Sequence, residues 1–107
     1  MRFEIVLAPT AVKELRRLRA ADRARVRDAI ELHLRHEPRR LSKSRIKRLR
    51  GLDRPQYRLR VDEVRVFYDV TEKTVEILAI VPKAKAAGWI AKEAAPTAPG
   101  GSGEGEG

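Results

Sequence analysis

The segment QYRLRVDEVRVFYDV, residues 56–70, constrains the fold more than any other part of this chain. Two runs alternate apolar with other side chains, and only Asp62 and Glu63 separate them. A two-residue connection between alternating runs specifies an antiparallel hairpin. The register follows from it: Val61 pairs with Val64, Arg60 with Arg65, Leu59 with Val66, Arg58 with Phe67, and Tyr57 with Tyr68. Successive side chains point to opposite faces of a strand. Tyr57, Leu59, Val61, Val64, Val66 and Tyr68 therefore form a core face, and Arg58, Arg60, Arg65 and Phe67 share the other.

The flanking sequence supplies what must cover the core face. Residues 2–8, RFEIVLA, alternate as a strand with Phe3, Ile5 and Leu7 on one side. Pro9 and Thr10 open a helix whose face carries Ala11, Leu15 and Leu18. Ala20-Ala21-Asp22 is expected as a break, with Asp22 capping a second helix that aligns Val26, Ile30 and His33/Leu34. Pro38 ends it. Residues 39–55 show no strand alternation; Ile46 and Leu49 read as anchors and Gly51 as a turn. After the hairpin comes a turn at Thr71–Thr74, then the strand TVEILAIV ending at Val81. Pro82 introduces a short helix with Ala86, Trp89 and Ile90. The order is β-α-α-β-β-β-α. This is an α+β fold in which a small, mainly antiparallel four-stranded sheet packs on an N-terminal helical hairpin, with helices on one face. Residues 1–92 are expected to be the folded domain. Residues 93–107, ending PTAPGGSGEGEG, are expected to be a disordered, Pro/Gly-rich acidic tail.

Charge narrows the function. All 24 basic residues lie in residues 1–92 with 12 of the 15 acids, a net of +12 for that part. Residues 39–60 alone hold ten Lys or Arg and one acid, Asp53. Charges of one sign repel, so this stretch points to an anionic partner. Lys43, Arg45, Lys47, Arg48, Arg50 and Arg54 are the candidate nucleic-acid contacts, with Phe67 as a platform for a stacked base. On the sheet, Arg60 faces Arg65 directly, a pairing that costs up to about 1 kcal/mol unless an anion bridges the two.

Other chemistries are poorly served. The chain has no cysteine, and its two histidines, His33 and His36, lie on the helical hairpin without a ligand pattern around them. No metal and no cofactor is called for. There is no apolar run of membrane length and no basic helix with bulky aromatics, so the expectation is a cytoplasmic protein that does not engage membranes.

The residues IKRLRGL, QYRLRV, VRVFYDV and VEILAIVPK resemble the RelE/ParE superfamily of toxins from type II toxin–antitoxin systems, over roughly residues 2–91. The resemblance implies a compact toxin and a cognate antitoxin whose net acidic, amphipathic segment covers Arg58, Arg60 and Arg65 and sets apolar side chains near Trp89. RelE-like members enter the ribosome and cut messenger RNA without a metal: the RNA 2′-hydroxyl attacks the adjacent phosphate, and cations stabilise the growing charge. On that pattern this chain is a ribosome-dependent mRNA endoribonuclease that inhibits translation. Arg58, Arg60 and Arg65 match the catalytic positions, Arg65 being the main phosphate-stabilising group. The C-terminal arginine and tyrosine of the pattern fall within VPKAKAAGWI, where Lys83 or Lys85 supplies charge. ParE-like members instead poison DNA gyrase. The alternative is thus a non-catalytic inhibitory binding module.

Overall fold

In a computed structural model, residues 1–97 are described. Strand β1 (Glu4–Leu7) leads into helices α1 (Pro9–Arg17) and α2 (Ala20–Leu34). Strands β2 (Ile46–Arg48), β3 (Leu52–Arg54), β4 (Tyr57–Val61), β5 (Val64–Val70) and β6 (Thr74–Pro82) follow, then helix α3 (Lys83–Glu93) and a short strand β7 (Ala95–Pro96). The main sheet has five strands in the order β1-β6-β5-β4-β2, with β1 parallel to β6 and the other neighbours antiparallel.

The hairpin forms as its spacing predicts, pair for pair from Val61↔Val64 to Tyr57↔Tyr68. Asp62 takes φ 52°, the left-handed conformation that aspartate tolerates in a tight turn. The inner face of β4, β5 and β6 packs on Ala11 and Leu15 of α1 and on Val26, Ile30 and Leu34 of α2. Tyr57 and Tyr68 stack within this core at 5.4 Å, and the Tyr68 hydroxyl donates to the Pro38 carbonyl at 2.7 Å.

Five expectations are corrected. The sheet has five strands, because Ile46–Arg48 pairs along the open side of β4, with Ile46 opposite Leu59. A second, two-stranded sheet joins β3 to β7. The helical break falls at Leu18-Arg19, so Asp22 lies in the first turn of α2 and is not its cap. There Arg23 donates to the carbonyls of Arg16 and Leu18 at 3.2 and 3.0 Å, satisfying the end of α1. The helices are not all on one face: α3 packs across the outer side of the sheet, where Leu49, Ala86, Trp89 and Ile90 meet Phe67, Ala79 and Val81. The expected tail begins at Glu93, but α3 continues through Glu93 and Ala95–Pro96 pairs with β3. Its remainder from residue 98 lies outside the described residues. Among the described residues, no helix is long and apolar enough to cross a membrane.

Candidate functional site

The strand register gathers cations at the hairpin end of the outer face. Arg58 stands opposite Lys47 of β2 on one side and Phe67 on the other, and Arg60 stands opposite Arg65. Their states differ. Arg60 is exposed. Arg58 is half-buried, and its Nε is shielded from solvent with no hydrogen-bond partner. Burial, and then the charges of Arg65 and Arg60, push the Arg58 guanidinium below the ordinary arginine range. Arg65 is the buried charged residue among those described, 7% exposed. Its Nη1 donates to the carbonyls of Asp62 at 2.8 Å and Val64 at 3.2 Å. The side chain expected to stand free on the outer face thus curls back to brace its own hairpin turn.

Phe67 is also corrected. It is fully buried, stacked on Trp89 with ring centroids 4.9 Å apart and planes 5° from parallel. That contact occupies the face a base would need. Trp89 itself stays half-buried on α3. The first turn of α3 returns to the hairpin, because the Lys83 N–H donates to the Glu63 carbonyl at 2.7 Å. Lys83 and Lys85 are both exposed there.

The basic loop does not act as one surface. Lys47 joins the cationic face through its pairing with Arg58. Arg48 turns to the inner side, over the Tyr57 ring at 5.4 Å, and donates to the Leu49 and Gln56 carbonyls. Arg54 is drawn to the far end of the outer face, 3.8 Å from Asp69 and 3.5 Å from Glu76. Lys43, Arg45 and Arg50 are exposed. Arg45 lines two cavities beside His33 on α2. Burial, then the Arg45 charge, lowers the His33 pKa and favours its neutral form. Among the described residues, no group of three or more His, Asp or Glu is placed to hold a metal ion.

The sequence reading missed the apolar cluster that seals the middle of the outer face. The signal was present: Ala86, Trp89 and Ile90 have the spacing of one helical face, and TVEILAIV is apolar at both parities. A strand apolar on both sides is covered on both sides.

A family model described as the ParE toxin of the type II toxin–antitoxin system parDE matches residues 5–87. The chain belongs to this family. Among solved structures, the toxin is similar to the RelB–RelE antitoxin–toxin complex from Methanococcus jannaschii, at 22% identity and a TM-score of 0.61, covering 78% of this chain and 96% of that one. It is also similar to the toxin–antitoxin complex RelBE2 from Mycobacterium tuberculosis, at 24% identity and a TM-score of 0.61, covering 77% and 99%. The RelE–RelB complex from Pyrococcus horikoshii OT3 matches at 24% identity and a TM-score of 0.52, covering 79% and 99%. These likenesses show a shared fold. No curated protein sequence matches the chain.

In this toxin the segment VPKAKAAGWI runs from the end of β6 into α3. Val81 enters the outer cluster, the lysines stay in solvent, and Trp89 is committed to Phe67. Every imidazole and phenol of the toxin lies elsewhere. Tyr57 and Tyr68 are in the inner core, and His33 and His36 border a cavity between α2 and the basic loop.

Proposed function

We propose that this toxin disables its target by binding it, through the cationic hairpin end formed by Lys47, Arg58, Arg60 and Arg65 with Lys83 and Lys85 nearby. The observation that carries this reading is that Arg58 and Arg65 share the outer face with no imidazole or phenol: Tyr57 and Tyr68 lie in the inner core, and His33, on α2, meets this set only through a cavity it shares with Arg60. Proton transfer to and from a reacting ribose needs a group within hydrogen-bond reach. A gyrase-type protein target, as in ParE-like toxins, needs only the docking surface.

A second reading has one observation in its favour. The shielded, unpartnered Nε of Arg58 beside Arg60 and Arg65 is an unused donor in a cationic cluster, and a phosphate would satisfy it. That supports ribosome-dependent, metal-independent cleavage of mRNA, with Arg58 and Arg60 contacting the phosphate and Lys43, Arg45, Lys47 and Arg50 holding the strand. Either target places the toxin in the cytoplasm. In both readings a net acidic, amphipathic segment of the antitoxin covers Arg58, Arg60 and Arg65 beside the open edge of Trp89. The fold shared with toxin–antitoxin complexes supports such a partner.

The deciding experiment translates a reporter message with purified toxin and maps the message by primer extension, alongside a gyrase supercoiling assay. Intact message with lost supercoiling supports the binding mode. Discrete cuts in the message, absent in Arg58→Ala/Arg60→Ala, would overturn it in favour of the nuclease.

A further inference from the structure

The basic residues that turn away from the hairpin end have a destination of their own. Beside α2 and the loop after it run two cavities of about 480 and 380 Å³, which share His33 and Arg45; the smaller extends to Arg60, Val61 and Asp62 at the hairpin turn. The larger is lined by Leu32, His33, Arg40, Leu41, Arg45 and Ile46, among others. Leu32 is 76% exposed and Leu41 57%, and they are two of four large apolar side chains left in solvent among the described residues. Both border this groove. Isolated exposed leucines are ordinary, but two on one concave strip, between cations, form a patch.

We propose that this groove is a second docking site for the antitoxin, and that it takes an acidic segment carrying aliphatic side chains. The proposal rests on the reading that an antitoxin neutralises the toxin, and adds a site centred on the larger cavity, which has none of the hairpin-end cations in its lining and adjoins them only through Arg60 of the smaller one. The chemistry of the lining selects the occupant. Arg45 has no side-chain acceptor among the described residues, and Arg40 meets only Glu37, at 3.0 Å, in an exposed pair that a partner carboxylate displaces at little cost. A nucleic acid would use the arginines but gain nothing from two leucines, and beyond the imidazoles of His33 and His36 the groove offers no Phe, Tyr or Trp ring for a base to stack on. A peptide with Leu, Ile or Val between Glu or Asp residues uses both. His33 is held toward its neutral form, so the centre of the groove accepts an aliphatic side chain without burying a charge.

The wall is also built in advance. The Ser42 hydroxyl accepts the N–H groups of Arg45 and Ile46 at 2.9 and 3.0 Å, and the Ser42 N–H donates to the Ile46 carbonyl at 3.0 Å. These bonds fix the bend that presents Leu41 and Arg45, so little ordering remains to oppose binding.

The test uses the full-length toxin and the antitoxin that copurifies with it, identified by mass spectrometry and then produced alone. A photo-reactive phenylalanine analogue at position 41 should cross-link to a net acidic antitoxin peptide containing Leu, Ile or Val. Leu32→Ser/Leu41→Ser should raise Kd by about tenfold or more, while Trp89 fluorescence and the unfolding midpoint stay at wild-type values. Arg58→Glu, at a residue that lines neither cavity, weakens the complex through the other site and leaves the position-41 cross-link in place. A wild-type complex whose affinity ignores Leu32→Ser/Leu41→Ser, with the cross-link absent or in a basic segment, overturns the groove and leaves the antitoxin reading standing. A toxin that binds no antitoxin overturns that reading and the groove with it. Cross-linking of position 41 to a single-stranded oligouridine in place of the antitoxin assigns the groove to nucleic acid and overturns the proposal.

Discussion

Arg65→Ala separates a structural from a purely functional arginine. The side chain is 7% exposed and donates twice from Nη1 to the carbonyls of Asp62 and Val64. A hydrogen bond from a charged donor contributes about 1.5–3 kcal/mol. Water can reach the exposed turn and replace part of that. Removing the guanidinium also relieves its repulsion by Arg60 and Arg58, worth about 1 kcal/mol at most. The balance is a net loss of about 1–2 kcal/mol, or roughly 5–15 °C in Tm for a domain of this size. Arg60 is exposed and has no such bonds, so Arg60→Ala should leave stability unchanged or raise it by up to about 1 kcal/mol. Urea unfolding followed by Trp89 emission gives both values on one scale. An Arg65→Ala toxin as stable as wild type, or more so, would refute the bracing role. Toxicity lost in Arg60→Ala at full stability is then functional loss, whereas loss in Arg65→Ala must first be corrected for the unfolded fraction.

Phe67→Ala should cost about 3–5 kcal/mol, since a fully buried ring leaves a cavity under α3; the emission of the single tryptophan, Trp89, should shift to longer wavelength, and unchanged emission would mean the stack does not hold α3. Tyr68→Phe should cost about 1–3 kcal/mol through the orphaned Pro38 carbonyl, read as a fall in the urea midpoint. Burial pushes the Tyr68 phenol well above its ordinary range, so its contribution to stability is full below a pH of about 10 and is lost as pH rises beyond it. An alkaline titration in which phenolate absorbance rises while Trp89 emission stays native would contradict that. Glu14 accepts the Ile80 N–H at 2.9 Å, and burial raises its pKa. Its raised pKa favours folding most below a pH of about 4.3 and loses effect as pH rises through the folded value, so Glu14→Gln should gain stability relative to wild type between pH 4 and 7. A constant difference across that range would show that the carboxylate is not desolvated.

How much of this the sequence displayed depends on the range of the forces involved. The β4–β5 hairpin was legible because alternation and a two-residue turn fix register locally. The helical faces of Ala11 and Leu15, and of Val26, Ile30 and Leu34, follow from spacing alone. Strand β2 was hidden: Ile46–Arg48 has one inward apolar residue, and it is a strand because the open side of β4 needs hydrogen-bond partners. The register shift between Phe67 and Tyr68 was equally silent. So was the carboxylate from α1 that meets β6: Glu14 takes the Ile80 N–H, which lies 66 residues away in sequence. The arginines were placed on the right face by parity. Parity cannot say that α3 would roof Phe67, or that the Arg65 side chain would find carbonyls in its own turn.

The acids of the fold explain why the hairpin end stays cationic. Glu31 is held by Arg35, Glu37 by Arg40, Asp22 by Arg19 and Arg25, and Asp69 and Glu76 by Arg54. Even Asp62, in the hairpin turn itself, has Arg25 of α2 at 3.8 Å. Counter-ions are thus distributed to the helices and to the far end of the sheet, while Lys47, Arg58, Arg60 and Arg65 are left to repel one another. A surface arranged this way loses free energy on folding and regains it when an anion binds. A ligand that binds only the folded state stabilises it by RT ln(1 + [L]/Kd). Under the proposed function, carboxylates from an antitoxin and groups from a target would compete for these same cations, and the partner that relieves the repulsion would also be the one that blocks the toxin.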